Sequence, residues 1–453
     1  MAASDLILGQ TLPFDPADAK ATLAQLPARP AVYSLHGAEA HAEPYFGRTP
    51  NLRGRLERLL QPSAKHPRRL QLAGRVRQIR FRLTGSDFES LLAQFTLLEE
   101  VYGPKVLQRM HLGSPAFVRF LGSNDFPRIT VTNRPSQREA DWAYGPFPSR
   151  AAAERFADET LKLFLLRRCT DDLEPNPIHP GCVYSEMKMC LAPCYKGCTN
   201  ERYAEESAAV QSFIATRGES QLVVLRAQRD EASANLNFES AAAVHAQVQR
   251  VETVRALAPE LVRPLSQLRA IILQASASPE AVAVFLYENG RLRGPASFST
   301  IGMRIQNEQS GSTSLFAHPM ALEPIPEPVP EPIPEQTAQP ISEPDPTPDT
   351  IAELAPVAHT VEARLKIPRG LLEERFDAAL AQLAGPAEPV SATVRQGHLA
   401  LLKRWYYRPE VRRTGEIFFP DAASHWPVKA ILRGVGRVAA KTIAAGQPQG
   451  PNC

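Results

Sequence analysis

A chain of 453 residues is too long for one hydrophobic core, and it predicts roughly two to four domains. Its hydrophobic content of 43% is ordinary for a folded chain, and no apolar run approaches the roughly eighteen to twenty residues of a membrane-spanning helix. The net charge of +3 conceals an uneven distribution, and the opening MAASDLILGQTLPFDP has neither the basic start nor the long apolar run of an export signal, so a reducing cytosol is expected.

After an arm over residues 1–28, apolar runs at 31–35 and 44–47 predict two short strands. Residues 52–60 read as a helix, 76–83 as an alternating strand and 88–101 as an amphipathic helix. Together they predict a small mixed α/β domain over residues 29–107. Between Phe46 and Arg82 eleven Lys or Arg residues face one acid, Glu57. Such an excess attracts phosphate, and Arg53, Arg55, Arg58, Arg68 and Arg69 are candidate DNA contacts, against the alternative of a solvated basic face.

Connecting strands and a helix over 108–168 lead to the cysteines. Five of the six fall between Cys169 and Cys198, and Cys169, Cys182, Cys190 and Cys194 follow the spacing C-x12-C-x7-C-x3-C. In a reducing compartment clustered thiolates point to a metal, with four sulfurs suiting either zinc or an iron–sulfur cluster and Cys198 left spare. The alternative is a set of inert, buried cysteines. Residues 201–258 read as helical, and 221–254 as a hairpin. Leu222, Leu225, Ala232 and Leu236 form one stripe, Asn235 to Asn237 interrupt, and Phe238, Ala241, Ala242, Val244, Val248 and Val251 form a second. One apolar flank of so small a hairpin is free to dock a partner or the rest of the chain.

Strands at 270–287 and 291–299 predict a short β-rich segment over 259–304. No Lys or Arg occurs from Ile305 to Glu362, where PIPE, PVPE and PIPE repeat from Pro324, so residues 305–362 read as an extended polyproline linker. It separates a small, basic C-terminal domain over residues 363–453.

AVY ending at Tyr33 and YFGRTPNLRGRL from Tyr45 resemble the paired signature of GIY-YIG nucleases. YGPFPS from Tyr144, LFLLRRC ending at Cys169, CLAPC from Cys190 and NLNFESAA from Asn235 follow in the order found in the UvrC family. The resemblance covers roughly the first 300 residues. It implies nucleotide excision repair by a GIY-YIG-type endonuclease that incises damaged duplex DNA with Mg²⁺ or Mn²⁺. It assigns catalytic positions to Tyr33, Tyr45, Arg48 and Arg55, and it implies a UvrB-like partner bound through Phe238, Glu239, Ala241 and Ala242. Two departures stand out: Ala31 replaces the first glycine, and Gln94 occupies the place of the metal-binding glutamate. A neutral amide brings no charge to a hard cation, so a DNA-binding and UvrB-binding module without cutting is the alternative. In the tail, residues 431–443 resemble the glycine turn of a helix-hairpin-helix.

Overall fold

Three antiparallel sheets of four strands each organise the described residues, which are 8–39, 42–61, 72–136, 141–170, 173–303, 368–385 and 390–446 of a computed structural model. The first sheet has the order β1-β4-β2-β3, with β1 at Gln10–Pro13, β2 at Ala31–Gly37, β3 at Tyr45–Thr49 and β4 at Val76–Leu83. Alternation along β2 divides its two faces. Ala31, Tyr33 and Leu35 join Leu52 and Leu56 of helix α1 (Leu52–Leu60), whereas Val32 meets Ala93 and Leu97 of helix α2 (Asp87–Tyr102). Both helices begin where a side chain satisfies an orphan amide: Asn51 Oδ1 accepts from Gly54 N at 2.9 Å, and Ser86 Oγ accepts from Glu89 N at 3.1 Å.

The second sheet, β6-β5-β7-β8, contains β5 (Ala116–Phe120), β6 (Ile129–Thr132), β7 (Ala143–Phe147) and β8 (Arg263–Pro264). Helices α3 (Arg150–Leu161), α4 (Asn200–Ala215), α5 (Glu219–Ala234) and α6 (Phe238–Ala256) share its core through Phe156, Phe213, Leu222, Leu225, Val248 and Val251. Helices α5 and α6 run antiparallel, with Arg255 Nη1 at 2.8 Å from Glu219 and Arg226 Nη2 at 3.0 Å from Glu252. These pairs are exposed and contribute little, so the buried leucines and valines at the base hold the helices together.

The third sheet, β11-β10-β9-β12, combines β9 (Ala270–Ala275), β10 (Ala281–Glu288) and β11 (Arg291–Ser299) with the distant β12 (Glu416–Phe418). Its connection corrects the expectation of a separate C-terminal domain. Strand β9 is apolar on both faces and needs cover on each. Ile271 and Leu273 pack with Phe376 of α7 (Arg369–Leu383) and with Ile431 and Val435 of α9 (Val428–Gly446), while Ala270 and Ile272 pack with Leu401 of α8 (Ala392–Tyr406). The expected glycine turn over 431–443 is likewise corrected to the unbroken helix α9. Gly434 serves close packing there, because a Cβ would lie 2.5 Å from the Phe418 ring. The polyproline reading of 305–362 falls outside the described residues, as do Lys65, Arg68 and Arg69.

All three sheets meet at α2. Phe88, Leu91, Leu92, Phe95 and Leu98 share one cluster with Phe117 of β5, Ile272 of β9, Phe285 of β10 and Trp405 of α8. The Phe88 ring lies 5.1 Å from Phe285 and 5.3 Å from Trp405. A Cβ at Gly397 would fall 2.1 Å from the Phe95 ring, so α8 crosses α2 at a distance only glycine allows. Gly397→Ala should therefore lower unfolding free energy by about 1–3 kcal/mol in a denaturant titration. Gly436→Ala, in α9 where a Cβ meets nothing within 4 Å, should instead raise it by about 0.5–1 kcal/mol. Equal effects at the two positions would contradict this packing.

Candidate functional site

Strand β3 forms an edge of the first sheet and brings Tyr45 beside Tyr33 of β2, with ring centroids 6.4 Å apart. Gly47 pairs directly with Tyr33, and a Cβ there would lie 2.5 Å from the Tyr33 Cζ and hydroxyl. That glycine is what permits the ring to lie across β3. From α1, Arg55 donates through Nε to the Tyr33 hydroxyl at 3.4 Å. Burial raises the Tyr33 pKa above that of a free phenol, opposed by the hydrogen bond and charge of Arg55. Three of the expected residues, Tyr33, Tyr45 and Arg55, are thus brought together on one face, with Tyr33 only 1% exposed.

Arg48 lies on the opposite face of β3. It pairs with Asp87 at the start of α2, and Asp87 also accepts from Arg408 Nη2 at 2.6 Å. Burial opposes ionisation of Asp87, but these two guanidinium groups outweigh it and hold the carboxyl below its usual range. Asp87 and Arg408 escaped the sequence reading; the one local signal was an acid just after a Ser cap. Gln94 is half-buried on α2, whose Ala93 and Leu97 face Val32, away from Tyr33. The neighbouring carboxylate Glu89 is buried and engaged, accepting from Arg82 Nη2 at 2.8 Å and Gly85 N at 2.9 Å. The donor set therefore does not suit a hard divalent cation: the amide is neutral and the nearest buried acid is neutralised.

The basic surface is partly consumed by these pairings. Arg53 donates to the Leu26 carbonyl at 2.6 Å and Arg58 to Gly54 at 2.9 Å, while Arg58, Arg75 and Arg77 remain exposed. On the α5–α6 hairpin the base is buried, but the tip presents Leu236 at 73% and Phe238 at 65% exposure. Glu239 and Ala242 are exposed beside them, and Ala241 is half-buried.

A short helix at Val183–Glu186 and a 3-10 turn at Pro193–Tyr195 punctuate an otherwise irregular cysteine segment. Ala192 and Lys196 adopt left-handed conformations, and the turn aims Ala192 N at Cys190 Sγ, 3.2 Å away. Arg167 Nη1 donates to Cys169 Sγ at 3.5 Å. Burial pushes the Cys190 thiol up to about 11, the Ala192 amide opposes this, and the nearby sulfurs of Cys169, Cys182 and Cys194 raise it further. Burial also raises Cys194, with Cys182 and Cys169 adding to it, and burial raises Cys198, where Cys194 is the sulfur that adds to it. The four expected ligands thus share one neighbourhood, with Cys198 at its margin. Among the described residues no three His, Cys, Asp or Glu groups are drawn close enough to hold a metal ion.

A family model described as the middle domain of UvrC/Cho excinuclease matches residues 117–213, which include the cysteine segment. UvrABC system protein C of Pseudomonas entomophila is 32% identical over 241 residues, 53% of this chain and 39% of that relative. The protein of the same name from Alcanivorax borkumensis is 30% identical over 243 residues, again 53% and 39%. That of Aliivibrio fischeri is 29% identical over 241 residues, 52% and 39%. The matched part is thus about two fifths of each relative's length. No solved structure matches.

The tyrosine cluster makes a measurable statement about alkaline pH. Because the folded Tyr33 pKa is raised, the stability linked to it is intact below the unfolded phenol value of about 10 and is lost as pH rises through the folded value. Tyr33→Phe should remove one late-titrating phenol in a spectrophotometric titration and its share of that loss. Arg55→Leu should move the same phenol still higher. A Tyr33 transition indifferent to Arg55 would contradict the contact.

Proposed function

We propose that this member of the UvrC family acts in nucleotide excision repair as a DNA-binding module whose GIY-YIG-like domain no longer cuts. The observation that supports this reading is the state of α2: Glu89 is engaged by Arg82, Arg48 is tied to Asp87 on the face opposite Tyr33, and Gln94, which the resemblance aligns with the metal-binding glutamate, is a neutral amide. Cleaving a phosphodiester needs an activated water and a cation beside the leaving oxygen, and these residues provide no site for that cation. What the domain keeps is positive charge, in Arg53, Arg55 and Arg58, suited to a phosphate backbone. The competing reading, an active endonuclease, is favoured by one observation, the assembled trio of Tyr33, Tyr45 and Arg55.

Two further parts complete the proposal. The exposed apolar tip of the hairpin, with Phe238 flanked by Glu239, Ala241 and Ala242, offers a docking surface to a UvrB-like protein. Cys169, Cys182, Cys190 and Cys194 would hold zinc or an iron–sulfur cluster. When bound, that centre supplies a structural tie rather than chemistry on DNA. The protein's own contribution is the turn that presents Ala192 N to Cys190 and the Arg167 guanidinium that reaches Cys169.

Binding and cutting can be measured separately. Replacing Arg53, Arg55 and Arg58 together by Ala should weaken binding to every duplex and lower the salt dependence by about one unit of slope per lost phosphate contact. Unchanged affinity and slope would place the DNA surface elsewhere. In a nicking assay with damaged duplex, a UvrB-like partner and Mg²⁺ or Mn²⁺, the wild type should give no incision above background. Gln94→Glu tests whether a carboxylate alone restores it, with Tyr45→Phe in that background as the control. Robust metal-dependent incision by the wild type, abolished by Tyr45→Phe, would overturn the non-cutting reading in favour of the enzyme.

A further inference from the structure

A cleft of about 380 Å³ opens where α2, β11 and α8 converge, and neither the tyrosine cluster nor the cysteine segment contributes to its walls. Leu92 and Phe95 of α2 and Val394 of α8 give it apolar sides. His398 of α8, only 5% exposed, also lines it, with its ring 5.1 Å from that of Phe95. The Nδ1 of His398 accepts from Leu292 N at 2.9 Å, so the ring proton resides on Nε2, and among the described residues no acceptor meets it. Burial, reinforced by the charge of Arg291, pushes the ring down to about 3 and keeps it a neutral N–H donor near pH 7. Such a donor in an apolar wall costs free energy until an acceptor reaches it. Glu99 lies one helical turn beyond Phe95 on α2 and is half-buried, and exposed Arg291 opens β11. Both line the same cleft, adding an acceptor and a cation.

We propose that this cleft binds a single unstacked nucleotide, with the base against Phe95, one acceptor on its edge taking the His398 Nε2 proton, an N–H of the same edge donating to Glu99, and the phosphate at Arg291. The volume lies near the lower end of the roughly 300–1,000 Å³ of small-molecule sites, which suits one base with its sugar rather than a length of strand. Apolar faces with both an acceptor and a donor on the edge are the properties of a nucleobase. A fatty chain would leave His398 and Glu99 unsatisfied, and a small carboxylate would be repelled by Glu99. A free mononucleotide and a base turned out of a nucleic-acid strand present the same chemistry to such a site. The proposal needs neither a metal centre nor strand cleavage.

The four ribonucleoside 5′-monophosphates, the matching nucleosides and inorganic phosphate are titrated into the full-length chain and followed by saturation-transfer NMR. At least one monophosphate should bind more tightly than about 1 mM, and inorganic phosphate should not compete with it. Arg291→Gln should weaken that monophosphate about tenfold and leave its nucleoside unchanged, whereas Glu99→Gln should weaken both. His398→Asn keeps an acceptor for Leu292 N but withdraws the donor, and it should weaken both about tenfold. Thr96 is exposed and lines the cleft, so Thr96→Trp should block it without disturbing the core. Source is read by competition: displacement of the monophosphate by a duplex with one bulged nucleotide, but not by the fully paired duplex, assigns the site to nucleic acid, and displacement by neither assigns it to the free nucleotide. Absence of binding by all four monophosphates overturns the proposal. Binding untouched by both Thr96→Trp and Arg291→Gln places the ligand elsewhere and overturns it too, and equal competition by inorganic phosphate reduces the cleft to an anion site.

Discussion

Helix α2 is the element on which the rest of the molecule depends, because its apolar side chains are shared among three sheets. Phe88 fills the space between Phe285 and Trp405, Phe95 fits the notch left by Gly397, and Leu97 closes on Val32 from the other side. A helix enclosed in this way cannot shift without opening several cores at once. Its polar positions are equally committed: Ser86 caps it, Glu89 answers Arg82, and Asp87 joins β3 to the end of α8. Almost the whole length of α2 is thus given over to packing and to these pairs.

This arrangement changes how the arginines of the first domain are read. Counted along the sequence they form one positive block, but alternation along the strands sorts them by face. Arg48 and Arg82 point toward α2 and meet acids. Arg55 lies over Tyr33 on the other side, and Arg58, Arg75 and Arg77 are left to solvent. Local excess of charge is therefore a weaker guide to a binding surface than the parity of each arginine within its strand.

The strands and helices of the first domain were legible because each carries its own signal. The alternation of residues 76–83 matches β4, and the Asn51 and Ser86 caps begin α1 and α2 within a residue of the expected starts. The closeness of Tyr33 and Tyr45 was legible through the motif rather than through periodicity. What was not legible depends on partners distant in the chain. The pattern of β9 and β10 shows strands apolar on both faces but does not say that residues 369–446 supply the cover. Gly434 and Gly436 read as a turn because glycine is ambiguous alone, and only the approach of Phe418 explains the first of them as a helix contact.

Strand β12 carries a consequence for how the molecule is made. Its place beside β9 is filled by residues 416–418, which leave the ribosome long after residues 270–275. During synthesis β9 therefore waits with an unpaired row of backbone groups and apolar faces, the condition under which strands pair with the wrong chain. Loop closure over so long a segment adds little free-energy cost, since that cost grows only with the logarithm of length, so the delay is kinetic rather than thermodynamic. Protection of the nascent β9 edge, by a chaperone or by rapid packing of β9 and β10 on α2, is then a requirement for producing the chain rather than for keeping it folded.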